Sequence, residues 1–220
     1  MSNLRSGSRV LEIGCGTGQV SVPLAELGVD LVAVERGSHL AAHTRHNLAP
    51  FPNARVEAGA FEEWPLPEEP FDAVICVNAF HWLDPNVRFV KSFAALREGG
   101  VLTILHAHHV RGGTPGFFEA AQPLYVKAGL GDATFRLPAP DELAPSYPEL
   151  TSAQRQSFEI PMTLSTAGYV GWLETDSMIA TLDELSRRAF LGDMRQLIAG
   201  DFHGEVARNW LYEVISVKNV

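Results

Sequence analysis

The sequence predicts an α/β fold, an open and largely parallel sheet with helices on both faces. Three observations predict it. Short apolar runs alternate with segments of helical apolar spacing through residues 1–105. The connections are short and punctuated by glycine and proline. The runs are apolar almost throughout, as strands covered on both faces must be.

The elements follow in order. Val10–Ile13 is a first strand, closed by Gly14, Gly16 and Gly18. Val20, Leu24 and Leu27 keep helical spacing until Gly28, and Pro23 falls near the first turn, where a missing N–H costs least. Leu31–Val34 is the second strand, and His39–Leu48 a helix ending before Pro50 and Pro52. Arg55–Ala58 is the third strand; the prolines of Trp64–Pro70 mark a loop. Phe71–Val77 is the fourth strand, Val87–Leu96 a helix stopped by Gly99-Gly100, and Val101–Leu105 the fifth strand. Beyond it the pattern loosens. Phe117–Ala128 reads as a helix, 131–148 as a loop rich in Pro and Gly, and Gln156–Leu164 as a strand. Tyr169–Trp172 and Leu182–Ile198 read as helical. Trp210–Val217 is the last strand, with Trp210, Tyr212 and Val214 on one face and Leu211 and Ile215 on the other. A single domain over residues 1–220 is expected. Residues 106–155, too long for one crossover helix and its loops, are expected to form an insertion or cap.

The chain has 220 residues, 46% hydrophobic and 20% charged, which suits a globular protein with one good core. Seventeen basic against 26 acidic residues give a formal charge of -9, and no Lys/Arg run interrupts it. Nucleic-acid backbones and anionic membranes are therefore poor partners. Cys15 and Cys76 both sit in apolar runs, which argues against a disulfide scaffold and for a reducing, cytoplasmic compartment. Met1 to Arg9 carries no apolar leader, and no stretch approaches the roughly 18 apolar residues of a membrane span.

The sharpest local feature is Val10-Leu-Glu-Ile-Gly14-Cys15-Gly16-Thr17-Gly18-Gln19. A strand delivers the chain to a glycine-rich turn, where backbone can approach a ligand closely, and a helix follows. The spacing is GxGxG; the third glycine of a dinucleotide fingerprint is replaced by Gln19. Glu35 ends the second strand, where an acid can accept both hydroxyls of a ribose diol. Together these features favour an adenosine-containing ligand without choosing between NAD and another nucleoside.

The segment resembles motif I of class I S-adenosylmethionine-dependent methyltransferases. Glu12 takes the acidic position that in this family helps hold the methionine end of the cofactor. Gly14, Gly16 and Gly18 take the glycine positions, and Glu35 the acid that grips the ribose. Val56-Glu-Ala-Gly59-Ala60-Phe61 resembles the segment after strand three, whose first loop residues line the adenine. Phe71 to Leu83, with Asn78-Ala79-Phe80-His81-Trp82, resembles the strand-four segment, and Leu96-Arg-Glu-Gly99-Gly100-Val101-Leu102 the entry to strand five. The likeness is close over residues 10–105. It extends more loosely through Tyr169 to Ser177 and the terminal strand, in a pattern similar to the small-molecule branch around trans-aconitate methyltransferase. It implies a Rossmann-like sheet of seven strands with the last antiparallel, and S-adenosyl-L-methionine as cofactor. It further implies cofactor contacts at Glu12, Gly14, Cys15, Gly16, Thr17, Gly18, Glu35, Arg36, Ala60, Phe61, Asn78, Ala79 and Trp82. Ala60 stands where many members carry an Asp for the adenine amine, so that contact falls to backbone groups or Glu62. Only nine residues precede Val10, where members usually carry lid helices, so either the chain is truncated or another element closes the site.

Methyl transfer needs an in-line nucleophile and exclusion of water, so the protein mainly orients and sometimes deprotonates. His81, just past the fourth strand, is the candidate base, and Asn78 a contact residue. His106, His108 and His109 invite a metal test, but no cysteine is near and the next nearby acid in sequence is Glu119, so no metal is expected. His106, His108, Phe117, Phe118 and Tyr169 are expected to border the acceptor pocket, with Trp172 nearby. Arg111, Arg136 and Arg155 are the arginines considered for a carboxylate acceptor.

The expected activity is methyl transfer from S-adenosylmethionine to a small molecule, with a carboxylic acid as one acceptor class. Nothing in the sequence speaks to oligomeric state. Two alternatives stand beside it. A protein that binds S-adenosylmethionine without turnover would show binding but no transfer. An NAD-dependent oxidoreductase would need GxGxxG and a hydride-transfer constellation, and neither is present.

Overall fold

β1 (Arg9–Ile13) lies inside the sheet because consecutive side chains find apolar cover on opposite faces. Leu11 and Ile13 pack with Val32, Val34, Val74 and Cys76; Val10 packs with Leu31, Ala33 and Ala73. The computed structural model describes residues 4–132, 134, 136–176 and 178–220. The parallel partners of β1 are β2 (Asp30–Glu35) and β4 (Phe71–Val77), in registers Leu11↔Val32 and Leu11↔Val74. β3 (Ala54–Ala58) pairs with β2 and β5 (Leu96–Val110) with β4, both parallel.

With β6 (Gln154–Ser165) and β7 (Glu205–Lys218), the seven-stranded sheet runs β3-β2-β1-β4-β5-β7-β6. The order reverses between β1 and β4. That switch point is where open α/β sheets take ligands, at the carboxyl ends of the strands. The Gly99 N–H donates to the Asn219 carbonyl and the Asn219 N–H to that of Gly100, both at 2.8 Å. The start of β5 thus meets the end of β7. Further along, the Thr114 N–H donates to the Ala207 carbonyl at 2.9 Å. The last strand is therefore antiparallel, the Rossmann-like arrangement expected.

The helices are α1 (Ser21–Glu26), α2 (Ser38–Leu48), α3 (Arg88–Ala94), α4 (Phe117–Lys127), α5 (Thr166–Glu174) and α6 (Glu184–Asp201). Their ends follow from local chemistry. Gly28, at φ 76°, turns the chain out of α1 and donates its N–H to the Ala25 carbonyl. Asp183 caps α6 by accepting the Leu185 and Ser186 N–H groups, and Ser165 caps α5 by accepting that of Gly168.

Strand five is longer than the sequence suggests. The expected start at Val101 is in fact Leu96, which pairs with Phe71, while Ala73 pairs with Val101. The extra residues between these pairs are accommodated by a local irregularity that includes Gly99 at φ 73°. The two glycines therefore shape the strand's entry instead of ending a helix.

Two compact units divide the chain. One comprises the residues up to Ala107 with Ser146–Ser157 and Glu213–Val220; the other comprises His108–Pro145 and Phe158–Tyr212. The second has its own core, in which Phe117 and Ala121 of α4 meet Tyr169, Val170 and Leu173 of α5 and Phe190, Met194 and Ile198 of α6. Among the described residues, no helix is long and apolar enough to cross a membrane.

Candidate functional site

The glycine turn after β1 is built for close approach. Gly14, Gly16 and Gly18 stand at φ 71°, 57° and 90°, a region that side chains disfavour. A Cβ on Gly14 would lie 2.4 Å from that of Ala79, so the turn and the end of β4 can be this close only with glycine there. The Thr44 hydroxyl donates to the Gly16 carbonyl at 2.6 Å, and Asn47 Nδ2 to that of Thr17 at 2.9 Å, tying the turn to α2.

Glu35 is buried at the end of β2. Its Oε2 accepts the Gly16 N–H at 2.9 Å and its Oε1 the Gly37 N–H at 2.7 Å. An ionised carboxylate offers about four acceptor sites. One is used on the Gly16 turn and one on Gly37 at the start of α2, which leaves one on each oxygen for a diol.

Glu12 is buried too, and the Ser21 hydroxyl donates to its Oε2. Burial pushes its pKa up from 4.5 to about 7; the Ser21 hydrogen bond pulls down, and the charge of Glu35 adds to the rise. Burial likewise raises Cys15, to about 12, and Cys76, so both thiols stay protonated and unreactive.

A cavity of about 450 Å³ opens beside this turn, lined by Ile13, Gly14, Val34, Glu35, Arg36, Gly37, Gly59, Phe61, Glu62, Val77, Asn78, Ala79, Trp82 and Leu83. Its size falls within the roughly 300–1,000 Å³ of small-molecule and cofactor sites. Of the expected cofactor residues, Gly14, Glu35, Arg36, Phe61, Asn78, Ala79 and Trp82 line it. Gly16 and Thr17 are held in the turn by the bonds just given, and the Gly18 N–H donates to the Cys15 carbonyl at 2.9 Å. Cys15 packs into the core around Val10, and Ala60 lies between the lining residues Gly59 and Phe61. Glu62 lines the cavity, and its Oε1 accepts the Asp84 N–H at 3.0 Å.

Asn78 stands at φ 53°, a backbone region asparagine tolerates better than most residues. Its Oδ1 accepts the Ala107 N–H at 2.7 Å, which joins the ends of β4 and β5. Phe80 is fully buried against Phe89 and Tyr147, with ring centroids at 5.1 and 5.3 Å, and anchors the short 3-10 turn Phe80–Trp82. His81 and Trp82 are thereby held outward, Trp82 being 74% exposed at the cavity. The His81 ring lies 5.5 Å from that of His106, whose Nε2 is 2.9 Å from the Tyr147 hydroxyl. Sequence reasoning missed Tyr147, which sits in the proline-rich stretch and carries no local sign of burial.

Of the residues expected at the acceptor pocket, Phe117, Phe118 and Tyr169, with Trp172, line a cavity of about 220 Å³ within the second unit. His106 belongs to the first unit, with Tyr147. Two of the three arginines considered for a carboxylate are engaged. Arg155 pairs with Glu213 at 3.0 Å and donates to the Ser146 and Tyr147 carbonyls, and Arg111 pairs with Glu142 at 3.2 Å. The arginine that lines the cavity is Arg208, which sequence reasoning passed over. Among the described residues, no group of three or more His, Cys, Asp or Glu converges to hold a metal ion.

Residues 10–100 match the family model described as a methyltransferase domain. An uncharacterised methyltransferase of Mycobacterium tuberculosis is 36% identical over 97 residues, 44% of this chain and 39% of that protein. Among solved structures, a candidate type II methyltransferase from Anaeromyxobacter dehalogenans has a TM-score of 0.62 at 21% identity, covering 100% of this chain and 92% of that one. An S-adenosylmethionine-dependent methyltransferase from Geobacter sulfurreducens, bound to S-adenosylhomocysteine, has a TM-score of 0.55 at 17% identity, covering 96% and 85%. The fold is that of the class I S-adenosylmethionine-dependent methyltransferases, and residues 10–100 are similar to a methyltransferase domain. It spans well under half the length of the mycobacterial relatives it matches.

Proposed function

We propose that the chain binds S-adenosylmethionine in the 450 Å³ cavity and transfers its methyl group to a small-molecule acceptor, with carboxylic acids the favoured class. The observation that carries this reading is the joint geometry of Gly14, Ala79 and Glu35. A turn that tolerates no side chain lies beside a buried carboxylate with acceptor capacity to spare, at the switch point of the sheet. Glu35 takes the ribose hydroxyls, Phe61 and Trp82 flank the base, and the backbone around Gly14 receives the amino-acid end. Glu12, bonded to Ser21, backs the turn and adds negative potential under the cationic cofactor. Contacts from Cys15, Gly16, Thr17, Gly18, Arg36, Ala60, Asn78 and Ala79 complete the set.

S-adenosylmethionine supplies, when bound, a methyl group on a positively charged sulfur. The chain's own work is to bind, orient and exclude water. His81 faces the acceptor. It takes the proton of an acceptor that carries one; a carboxylic acid, ionised at neutral pH, needs it only for orientation.

Calorimetry with S-adenosylmethionine, S-adenosylhomocysteine and NAD tests the cofactor half. The first two should bind and NAD should not. Release of S-adenosylhomocysteine over a panel of small acids, amines and phenols tests the transfer half. His81→Gln should slow proton-bearing acceptors by roughly a hundredfold or more and carboxylates less. Binding without release on any acceptor would favour a non-catalytic cofactor binder.

A further inference from the structure

Arg208 is the residue of the second unit that its surroundings do not explain. It is only 8% exposed, and among the described residues no carboxylate lies within ion-pair distance of it. Its Nε and Nη2 face the ring nitrogens of His109. Burial, then the charge of Arg208 itself, push His109 down to about 3, so the ring is neutral. A neutral imidazole has one lone-pair nitrogen, so at most one of these contacts is a hydrogen bond. The Nη1 group is buried and has no hydrogen-bond partner among the described residues.

Aromatic rings surround the guanidinium, whose carbon lies 4.2 Å from the Trp172 centroid, 5.1 Å from that of Trp210 and 5.6 Å from that of Tyr169. Ring faces stabilise a cation but give Nη1 no oxygen acceptor. Buried charges are ordinarily paired, and this one borders a cavity of about 220 Å³. The other walls are largely apolar, with Phe117, Phe118 and Leu137 among them. Asp176 also lines the cavity, but its Oδ1 accepts the Met178 N–H at 2.8 Å. The aromatic faces that would receive a ligand cation are already taken by Arg208.

We propose that this cavity is a binding site for a compact monocarboxylate with an apolar or aromatic body, its carboxylate on Arg208 Nη1 and its body between Phe117, Phe118 and Tyr169. The volume is below the roughly 300–1,000 Å³ of drug-sized sites, which limits the ligand to about one ring. A single guanidinium neutralises a single charge, so a monoanion fits and a phosphate dianion leaves charge unpaired. Binding stands on the cavity alone. That the bound acid is also the methyl acceptor rests on the methyl-transfer reading.

The test is titration of the whole chain with benzoate and with its neutral analogue benzamide, without cofactor, followed by calorimetry and by the fluorescence of Trp172 and Trp210. Benzoate should bind at least tenfold more tightly than benzamide. Arg208→Gln should remove that preference and Arg208→Lys should keep part of it. S-adenosylhomocysteine affinity, measured on the same samples, should not change and reports that the variants are folded. Equal affinity for benzoate and benzamide in the unmodified chain overturns the proposal, as does absence of benzoate binding while S-adenosylhomocysteine binds. Benzoate binding without methyl transfer to any acid would instead overturn the methyl-transfer reading and leave this site standing.

Discussion

Glu35 reaches back from the end of β2 to hold the Gly16 amide at 2.9 Å, so one carboxylate both fixes the glycine turn and faces the cavity beside it. The two duties are coupled. Replacing Glu35 by Ala removes the acceptor of the Gly16 and Gly37 N–H groups together with the partner proposed for the ribose. A charge-assisted bond contributes about 1.5–3 kcal/mol. Affinity for S-adenosylhomocysteine should fall tenfold or more. Calorimetry on a variant of native circular dichroism decides it; unchanged affinity would remove Glu35 from the site.

Gly14 makes a sharper steric prediction. Gly14→Ala places a methyl 2.4 Å from the Ala79 Cβ at a backbone angle, φ 71°, that alanine disfavours. Overpacking of this kind costs roughly 1–3 kcal/mol before the backbone strain is added. Both melting temperature and cofactor affinity should drop. Adding Ala79→Gly should relieve the clash but not the strain, so recovery should be partial. Full recovery would show the backbone angle to be harmless, and none would show the contact with Ala79 to be irrelevant.

What the sequence revealed was what is local. Glycines at positive φ and an acid at a strand end declare themselves within a few residues, so Gly14, Gly16, Gly18 and Glu35 were legible. The parallel core was legible for a similar reason, because buried strands are apolar throughout. The start of β5 was not, since it depends on the pairing of Leu96 with Phe71 from another strand. Arg208 was hidden because its burial is created by Trp172 and Tyr169 of α5, far along the chain. Only its alternation with Val206 on β7 pointed inward, and a charged side chain there reads as solvated.

Glu12 predicts a pH dependence of stability. Its carboxyl is raised from 4.5 in the unfolded chain to about 7 in the folded one. The folded state thus holds the proton more tightly. The contribution is fully present below pH 4.5 and is lost as pH rises through 7, a swing of about 3 kcal/mol at most. Glu12→Gln, which resembles the protonated form, should flatten this part of the profile and exceed the unmodified chain in stability at pH 8. Urea unfolding at pH 5, 6.5 and 8 measures it. Parallel profiles for the two proteins would place the Glu12 carboxyl near its ordinary value.

Glu213 is the carboxylate that β7 carries into the first unit, and Arg155 of β6 is its partner. The pair is 3.0 Å apart, with the side chains 10% and 26% exposed, and Glu213 also accepts the Ser146 N–H at 3.2 Å. Removing one partner of a buried pair costs more than the pair contributes, because the remaining charge stays desolvated. Arg155→Met should therefore destabilise by about 3 kcal/mol or somewhat less, given the partial exposure of the guanidinium. Glu213→Gln in the same chain should return part of the loss by removing the stranded charge. A urea-unfolding double-mutant cycle reads the coupling directly. A loss below about 1 kcal/mol for Arg155→Met would mean that water screens the pair as it does at a surface, and β7 would then owe its place to its backbone pairing and to apolar packing by residues such as Ile215 and Val217.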